Sequence, residues 1–409
     1  MDAPNNMQAA SVSFESRLSQ DDELHWLALR MAAGLGTRKA GQLIEIFRTP
    51  QAIFRASRSE LQAAGVAAAL AQSISSGCAF EDAVAQQQKM ATAGVALIPM
   101  TNSRYPPRLK DIFDPPPVLY AQGRIELLGN LMIGVVGTRR PTAYGIAAAQ
   151  RLAKDLAVAG LTIASGMARG IDTAAHKATL EALGDTVAVF GCGVDEIYPA
   201  ENRKLASQIA EKGLLISEFP MGTPAYPQNF PVRNRIIAGM SAGVLVVEGG
   251  EYSGSAITAK LAVDQGREVF AVPGNITSKM SWGPNLLIKQ GAKLIQEWND
   301  VVTELKPEDR RRLVDQCRNR LKLGDLEMPE SEASNSASIA IELPGGPMQG
   351  VAKAVLRVLK PDLAIGLDHL METVGQASSS EVIAVLFELE LAGLVRQVPG
   401  KRYVRVWAD

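Results

Sequence analysis

Between Leu131 and Gln296 the apolar residues fall in short continuous runs: LMIGVV, LTIAS, TVAVF, LLIS, GVLVVE, EVFAVP and AKLIQ. Runs this short, this continuous and this rich in β-branched residues match strands buried on both faces. Amphipathic stretches such as AYGIAAAQRLAKDLAVAG separate most of them and close on a glycine, as helices do. The alternation predicts a parallel α/β sheet covered by helices on both faces, with ligands at the carboxyl ends of the strands.

The pattern changes on both sides. From Asp21 to Lys89 the period is helical, and the arrangement helix, glycine turn, helix occurs twice, in GLGTRKAGQLIEIF and more weakly in LQAAGVAAALAQSI. That is the layout of helix-hairpin-helix units, yet this stretch balances seven basic against seven acidic residues, so it reads first as a small packing domain. The five prolines of RYPPRLKDIFDPPPVLY, from Arg104 to Tyr120, forbid a continuous helix and read as a stiff joint between domains. Residues 306–345 begin with a charged helix candidate, KPEDRRRLVDQCRNR, and continue as a polar linker. Three helical stretches follow, then VRQVPGKRYVRV, two alternating strands around Pro399-Gly400. This is a winged-helix arrangement. The expected divisions are a tail at 1–20, a helical domain at 21–95, the sheet domain at 96–305, the linker at 306–345 and the winged helix at 346–409.

Composition narrows the function classes. The 409 residues are 47% hydrophobic and 21% charged, enough for a sizeable core. No apolar run approaches the ~18 residues of a membrane span, and the first twenty residues have no apolar core, so a cytoplasmic location is expected. Cys78, Cys192 and Cys317 form no CxxC pair and the three histidines are scattered, so no metal or cofactor is expected. A net charge of −1 excludes nucleic-acid binding by bulk positive charge and leaves only a local basic groove.

The strand ends supply that groove. The first strand runs into Gly137-Thr138-Arg139-Arg140-Pro141, which lacks the GxGxxG spacing, and no acid stands at the end of the second strand to hold a ribose. The second ends in SGMARGID, where Ser165, Gly166 and Arg169 repeat the same glycine-plus-arginine chemistry; an arginine fork matches phosphate oxygens. After the fourth, Arg233, Asn234 and Arg235 read as a basic helix entrance, a place that favours an external anion. Ser253, Gly254, Ser255 and Thr258 follow the fifth strand, and Asn275 and Asn285 the sixth. Aromatic residues are only 5% of the chain; Phe219, Tyr226, Phe230 and Tyr252 are the ones near strand ends. Asp172, Asp195, Glu218 and Glu248 form no evident catalytic pair. Cys192 reads as a buried thiol without a base, and His176 as a structural hydrogen-bonding group.

With these residues in view, GVVGTRRPTAYG, SGMARGIDTAAH, FPVRNRIIAGMSAGVLVVEGGEYSGSAITA, VFAVPGNI and GPNLLI resemble, in order, the DNA-processing protein A (DprA/Smf) family. The flanks resemble that family's SAM-like and winged-helix domains. The resemblance implies an extended Rossmann-like domain that binds single-stranded DNA, forms a homodimer, protects DNA taken up in natural transformation and loads the RecA recombinase. It places Arg139 and Arg169 on basic DNA-contacting positions, with Arg233 and Arg235 as further candidates. The candidate set is therefore Gly137 to Arg140, Ser165, Gly166, Arg169, Arg233 to Arg235, Ser253 to Ser255 and Asn275. No catalytic residue is expected.

The competing class is a phosphoribohydrolase, a related Rossmann enzyme with a PGGxGTxxE turn. Here the turn is EGGEYSGSAITAK, with Ile257 and Thr258 where the catalytic glutamate is required. The third helix of the winged segment carries Glu381, Glu388 and Glu390 and no basic residue, which points to protein contact or dimer packing, while the basic hairpin RQVPGKRY retains an accessory DNA role.

Overall fold

In the computed structural model, the residues described are 18–251, 253–316, 349–359, 365–374, 382, 385, 386, 389, 395–398 and 402–405. The chain divides into two compact units between Leu323 and Gly324.

Six helices open the first unit: α1 (Gln20–Met31), α2 (Thr37–Phe47), α3 (Pro50–Arg55), α4 (Arg58–Ala63), α5 (Ala68–Ser76) and α6 (Phe80–Ala93). Ser19, Thr49 and Ser57 cap α1, α3 and α4 by accepting a backbone N–H, the Ser57 cap closing a capping box with Glu60. The buried faces of these helices share one core with the sheet. Trp26, Leu43, Ile53 and Ile74 belong to the same cluster as Tyr120, Phe190, Leu205 and Ile209.

Nine strands form the sheet: β1 (Ala96–Pro99), β2 (Val118–Gly123), β3 (Met132–Val136), β4 (Thr162–Ser165), β5 (Thr186–Phe190), β6 (Leu214–Ser217), β7 (Gly243–Val246), β8 (Glu268–Ala271) and β9 (Lys293–Leu294). Their order is β1-β2-β6-β5-β4-β3-β7-β8-β9. The strands from β6 to β9 pair in parallel, and β1 and β2 extend the sheet antiparallel at one edge. The proline-rich stretch is therefore not a joint between domains. Its residues Pro107–Lys110 form α7, and Val118, Leu119 and Tyr120 begin β2 inside the first unit. The three prolines before Val118 obscure a strand whose apolar residues are fully buried.

The crossovers are α8 (Ala143–Val158), α9 (Ile171–Glu181), α10 (Arg203–Lys212), α11 (Asn229–Met240), α12 (Gly254–Asp264) and α13 (Trp282–Lys289), with α14 (Trp298–Glu304) after β9. Helix α8 shows why they form. Thr142 caps its start, Ala149, Leu152, Ala153, Leu156 and Ala157 line one buried face at helical spacing, and Gly160 takes a positive φ just past its end. The chain winds outward from β3 through β4, β5 and β6, returns to lay β7 on the other side of β3, and continues to β8 and β9. The carboxyl ends of β3 and β7 thus form the crevice at the reversal of strand order.

The charged stretch that opens the segment read as a linker is helical, as its sequence predicts, but it belongs to the first unit. Residues 307–316 are helical, α15, and dock on the sheet unit. Leu313 joins the core beneath β3 and α8, Asp309 pairs with Arg108, and Arg312 donates to the Gly129 carbonyl at 2.8 Å. In the second unit, α16 (Gln349–Val358) and α17 (Leu367–Val374) accompany a three-stranded sheet of β10 (Ile365–Gly366), β12 (Arg402–Arg405) and β11 (Val395–Val398), paired antiparallel in that order. Val382, Val385, Leu386 and Leu389 are helical and buried at the spacing of one helix face. Glu381, Glu388, Glu390 and the hairpin tip Pro399-Gly400 lie outside the described residues.

Two outcomes follow. Leu313→Ala is expected to cost about 2–4 kcal/mol in equilibrium unfolding of the sheet unit, because it empties a buried contact between α15 and the core. His176, wholly buried with Nδ1 2.7 Å from Thr186 Oγ1, has its pKa driven down to about 3 by burial, reinforced by the Arg233 charge. An unfolded imidazole titrates near ~6.5, so on acidification the unfolded chain binds a proton that the fold refuses. This contribution to stability is complete above that pH and is lost as pH falls through the window towards 3. Imidazole NMR at pH 5 should find His176 neutral.

Candidate nucleic-acid interface

A cavity of about 470 Å³ opens at the carboxyl ends of β3 and β7. Nine of the fourteen sequence candidates line it: Gly137, Thr138, Arg139, Arg140, Arg233, Asn234, Ser253, Gly254 and Ser255. Pro227, Phe230, Ile237 and Met280 supply apolar walls.

The wall from β3 is held by the end of β7. Thr138 N–H donates to the Glu248 carbonyl at 2.7 Å, and the Glu248 carboxylate accepts from Thr142 N–H and Oγ1 at 2.9 and 2.6 Å. Glu248 is thus a buried structural acid. The second turn leans on the first: Gly170 has φ +80°, and a Cβ there would meet Pro141 Cδ at 2.7 Å. Asp172, in the first turn of α9, accepts from the N–H groups of Gly166 and Ala168 at 3.0 and 3.4 Å. Burial pushes its carboxyl up while the Arg233 charge opposes that shift.

Arg233 corrects an expectation. It is buried, 4% exposed, rather than poised on the surface at a helix entrance. Because α11 begins at Asn229, Arg233 lies one turn inside the helix, where its guanidinium donates to the carbonyls of Gly166, at 2.7 Å, and Val189. Burial lowers its pKa to about 10, with Asp172 opposing and Arg139 adding repulsion, so the group stays charged at neutral pH. Gly166 is glycine for this reason: a Cβ would stand 2.5 Å from the guanidinium nitrogens. Its amide is already engaged by Asp172, so Gly166 offers no donor to a ligand.

Arg235 is a second correction. Two residues further along α11 it faces away from the cavity, since successive helical positions differ by about 100°. It is 5% exposed and pairs with Glu218 at 2.6 Å and Asp114 at 3.0 Å. These internal carboxylates supply the compensation that the sequence reading assigned to an external anion. Ser165 is also internal, its hydroxyl donating to the Val135 carbonyl at 2.6 Å. Asn275 is exposed but outside the cavity, its side-chain oxygen accepting from Thr277 N–H and Oγ1.

Arg139 and Arg140 differ from these. Both are exposed, and neither makes an ion pair among the described residues. The Arg139 guanidinium lies 5.5 Å from the Phe230 ring centroid and that of Arg233 5.9 Å from it, which gathers two like charges around one aromatic ring. Across the cavity, Ser253 caps α12 and its Oγ lies 2.8 Å from Ser255 Oγ, beside the positive end of that helix. A smaller slot, lined by Arg139, Gly166, Ala168, Arg169, Tyr198, Pro199 and Phe230, continues the cavity towards Arg169. Tyr198 packs against Phe230 with its ring tilted by 41°, at 5.3 Å between centroids. The sequence reading passed over Tyr198, although it stands in EIYP directly after the third glycine-rich strand end.

The arrangement can bind anions and apolar planar groups together. It departs from the phosphoribohydrolase pattern at the turn after β7. Asp172 is the only carboxylate among the described lining residues and is held by backbone amides, while Ile257 lines the cavity and Thr258 donates to the Gly254 carbonyl, where the hydrolase pattern requires a glutamate. Burial drives the Cys192 thiol up to about 12, and it donates to the Glu196 carbonyl, which leaves it inert. Among the described residues no group of His, Cys, Asp and Glu could hold a metal ion, and no helix is long and apolar enough to cross a membrane. Phe219 is half-buried and Tyr226 exposed, both outside the cavity lining, and Tyr252 lies outside the described residues.

Comparison with known proteins agrees with this geometry. A family model for DNA recombination-mediator protein A matches residues 96–306, and one for the DprA winged helix domain matches residues 343–401. DNA processing protein DprA of Bacillus subtilis is 48% identical over 213 residues, which cover 52% of this chain and 72% of the relative. Protein Smf of Escherichia coli is 39% identical over 313 residues, 76% of this chain and 77% of the relative. The X-ray structure of DNA processing protein A from Streptococcus pneumoniae matches with a TM-score of 0.63 at 32% identity, over 71% of this chain and 99% of that one. The resemblance seen in the strand-end motifs therefore holds over the sheet and the winged helix, and the chain belongs to the DNA recombination-mediator protein A (DprA/Smf) family.

Proposed function

We propose that this protein is a recombination mediator that binds single-stranded DNA along the cavity and the slot beside it, without catalysing a reaction. The observation that carries this reading is the pair Arg139 and Arg140, exposed and without carboxylate partners among the described residues, at the mouth of a cavity that already holds a buried Arg233. Unpaired guanidiniums held by a rigid turn invite phosphate, and Phe230 offers a face to a base without reading its identity. A groove of this kind tracks a polymer backbone and depends strongly on salt. Family membership supports the mediator role. In this reading the protein works in the cytoplasm as a homodimer joined through the sheet domain, shields DNA entering by natural transformation, and loads RecA onto it in place of single-strand-binding protein.

Binding to a fluorescent oligothymidylate tests the reading. Arg139→Ala is expected to weaken binding and to reduce the dependence of log K on log salt by about 0.7, the value for one phosphate contact on a single strand. An unchanged affinity and slope would sink the assignment. Phe230→Ala should remove about 1–3 kcal/mol of binding if a base stacks there, with equal loss on other base compositions. RecA loading has a separate readout: faster RecA filament assembly on a strand covered by single-strand-binding protein, which Arg139→Ala should abolish.

A further inference from the structure

Arg169 is the one candidate arginine that a solvent-exposed carboxylate occupies. Its Nε and Nη2 donate to the two carboxylate oxygens of Glu201 at 2.6 and 2.9 Å, a bidentate fork of the geometry that also fits phosphate. Both side chains remain more than half exposed. The contrast with Arg235 is sharp, since that guanidinium and Glu218 are buried and cannot exchange partners without leaving a charge stranded. An exposed pair exchanges readily, because water and salt already screen it.

Glu201 is also held in place. It sits in a short 3-10 turn, Ala200–Asn202, whose buried Asn202 donates to the Met167 carbonyl at 2.8 Å and lies 2.9 Å from Thr173 Oγ1. Met167 belongs to the same turn as Arg169. The acid and the base are therefore tethered to one another through a few residues and one buried amide, which gives the carboxylate a high effective concentration at the guanidinium. The Arg169 hydrogen bonds hold the Glu201 carboxyl below the usual range, so it remains an anion at neutral pH. Arg169 lines the slot that Arg139, Ala168 and Phe230 join to the main cavity.

We propose that Glu201 is a specificity-determining residue: a built-in carboxylate that competes with strand phosphates for Arg169. This inference rests on the reading of the groove as a DNA site. A strand anchored at Arg139 brings its neighbouring phosphates to Arg169 at high local concentration and displaces the carboxylate. A ligand with a single phosphate has no such anchor and meets the competitor at full strength. Arg169 thereby favours polynucleotides over the small phosphates around it.

The test is a double-mutant cycle on the full chain with a twenty-residue oligothymidylate at several salt concentrations. Glu201→Gln should tighten binding by about two- to five-fold, the range an exposed ion pair of this kind can withhold, and should make the salt slope steeper. The gain should vanish in an Arg169→Ala background. A gain that persists there would come from general charge, and the competitor idea would be wrong; no gain in the wild-type background would also overturn it. A parallel titration with thymidine monophosphate on Arg139→Ala, Arg140→Ala protein, which removes the uncompensated arginines and leaves Arg169, should show a proportionally larger gain from Glu201→Gln than the oligonucleotide shows, and an equal or smaller one would remove the selectivity claim. Arg139→Ala separates the two levels. If it weakens binding while Glu201→Gln changes nothing, the DNA site stands and the competitor falls; if it changes nothing, the DNA site itself falls.

Discussion

The structure around the cavity depends on one buried cation. Arg233 reaches from α11 beneath the turn after β4 and donates hydrogen bonds to the carbonyls of Gly166 and Val189, the second of these in β5. A guanidinium at that depth persists only with its donors engaged and a counter-charge nearby. Asp172 supplies the charge, and it also gathers the amides of Gly166 and Ala168. Helix α11, two strand ends and the start of α9 are locked together by these hydrogen bonds. The absence of a side chain at Gly166 is part of the same contact.

Once Arg233 is committed inward, the charges divide into three kinds. Arg233 and Arg235 are structural, each compensated from within. Arg169 is compensated at the surface by Glu201, in an exchangeable pair. Arg139 and Arg140 have no such compensation among the described residues. The net charge of the chain hides this division completely, because what matters for an anion is which positive groups still lack a partner. Phe230 gives the division a shape, since Arg139 and Arg233 approach its ring while Tyr198 packs against it at a tilt.

The same architecture carries the loop before α11. Gln86 of α6 is buried and pairs through both ends of its amide with the Met221 backbone, at 3.1 and 3.0 Å, and Arg30 of α1 donates to the Glu218 carbonyl. The N-terminal helices therefore brace the segment that leads to Phe230 and Arg233. One core runs from Trp26 to Phe190, across the stretch read as a stiff proline-rich joint.

Much of this protein was legible from one dimension. Continuous β-branched runs show the parallel strands because burial on both faces leaves no polar alternation, and the Gly-Thr-Arg and Met-Ala-Arg-Gly turns mark strand ends because only small residues fit where turns press together. The family resemblance rested on those same turns, and it holds. What the sequence could not decide is direction and partnership. VRNR reads as two equivalent arginines, yet the helical rotation between positions 233 and 235 sends them to different surroundings, and the carboxylates that claim Arg235 come from positions 114 and 218. The strands β1 and β2 went unseen because prolines mask their borders, and α15, legible as a charged helix, was grouped with the linker because Leu313 is its one residue in the apolar core while buried Asp309 is polar. Local pattern determines which segments become strands and helices, since backbone propensity and side-chain spacing act within a few residues. Only the tertiary fold settles which charges are neutralised, because each counter-ion arrives from a distant part of the chain.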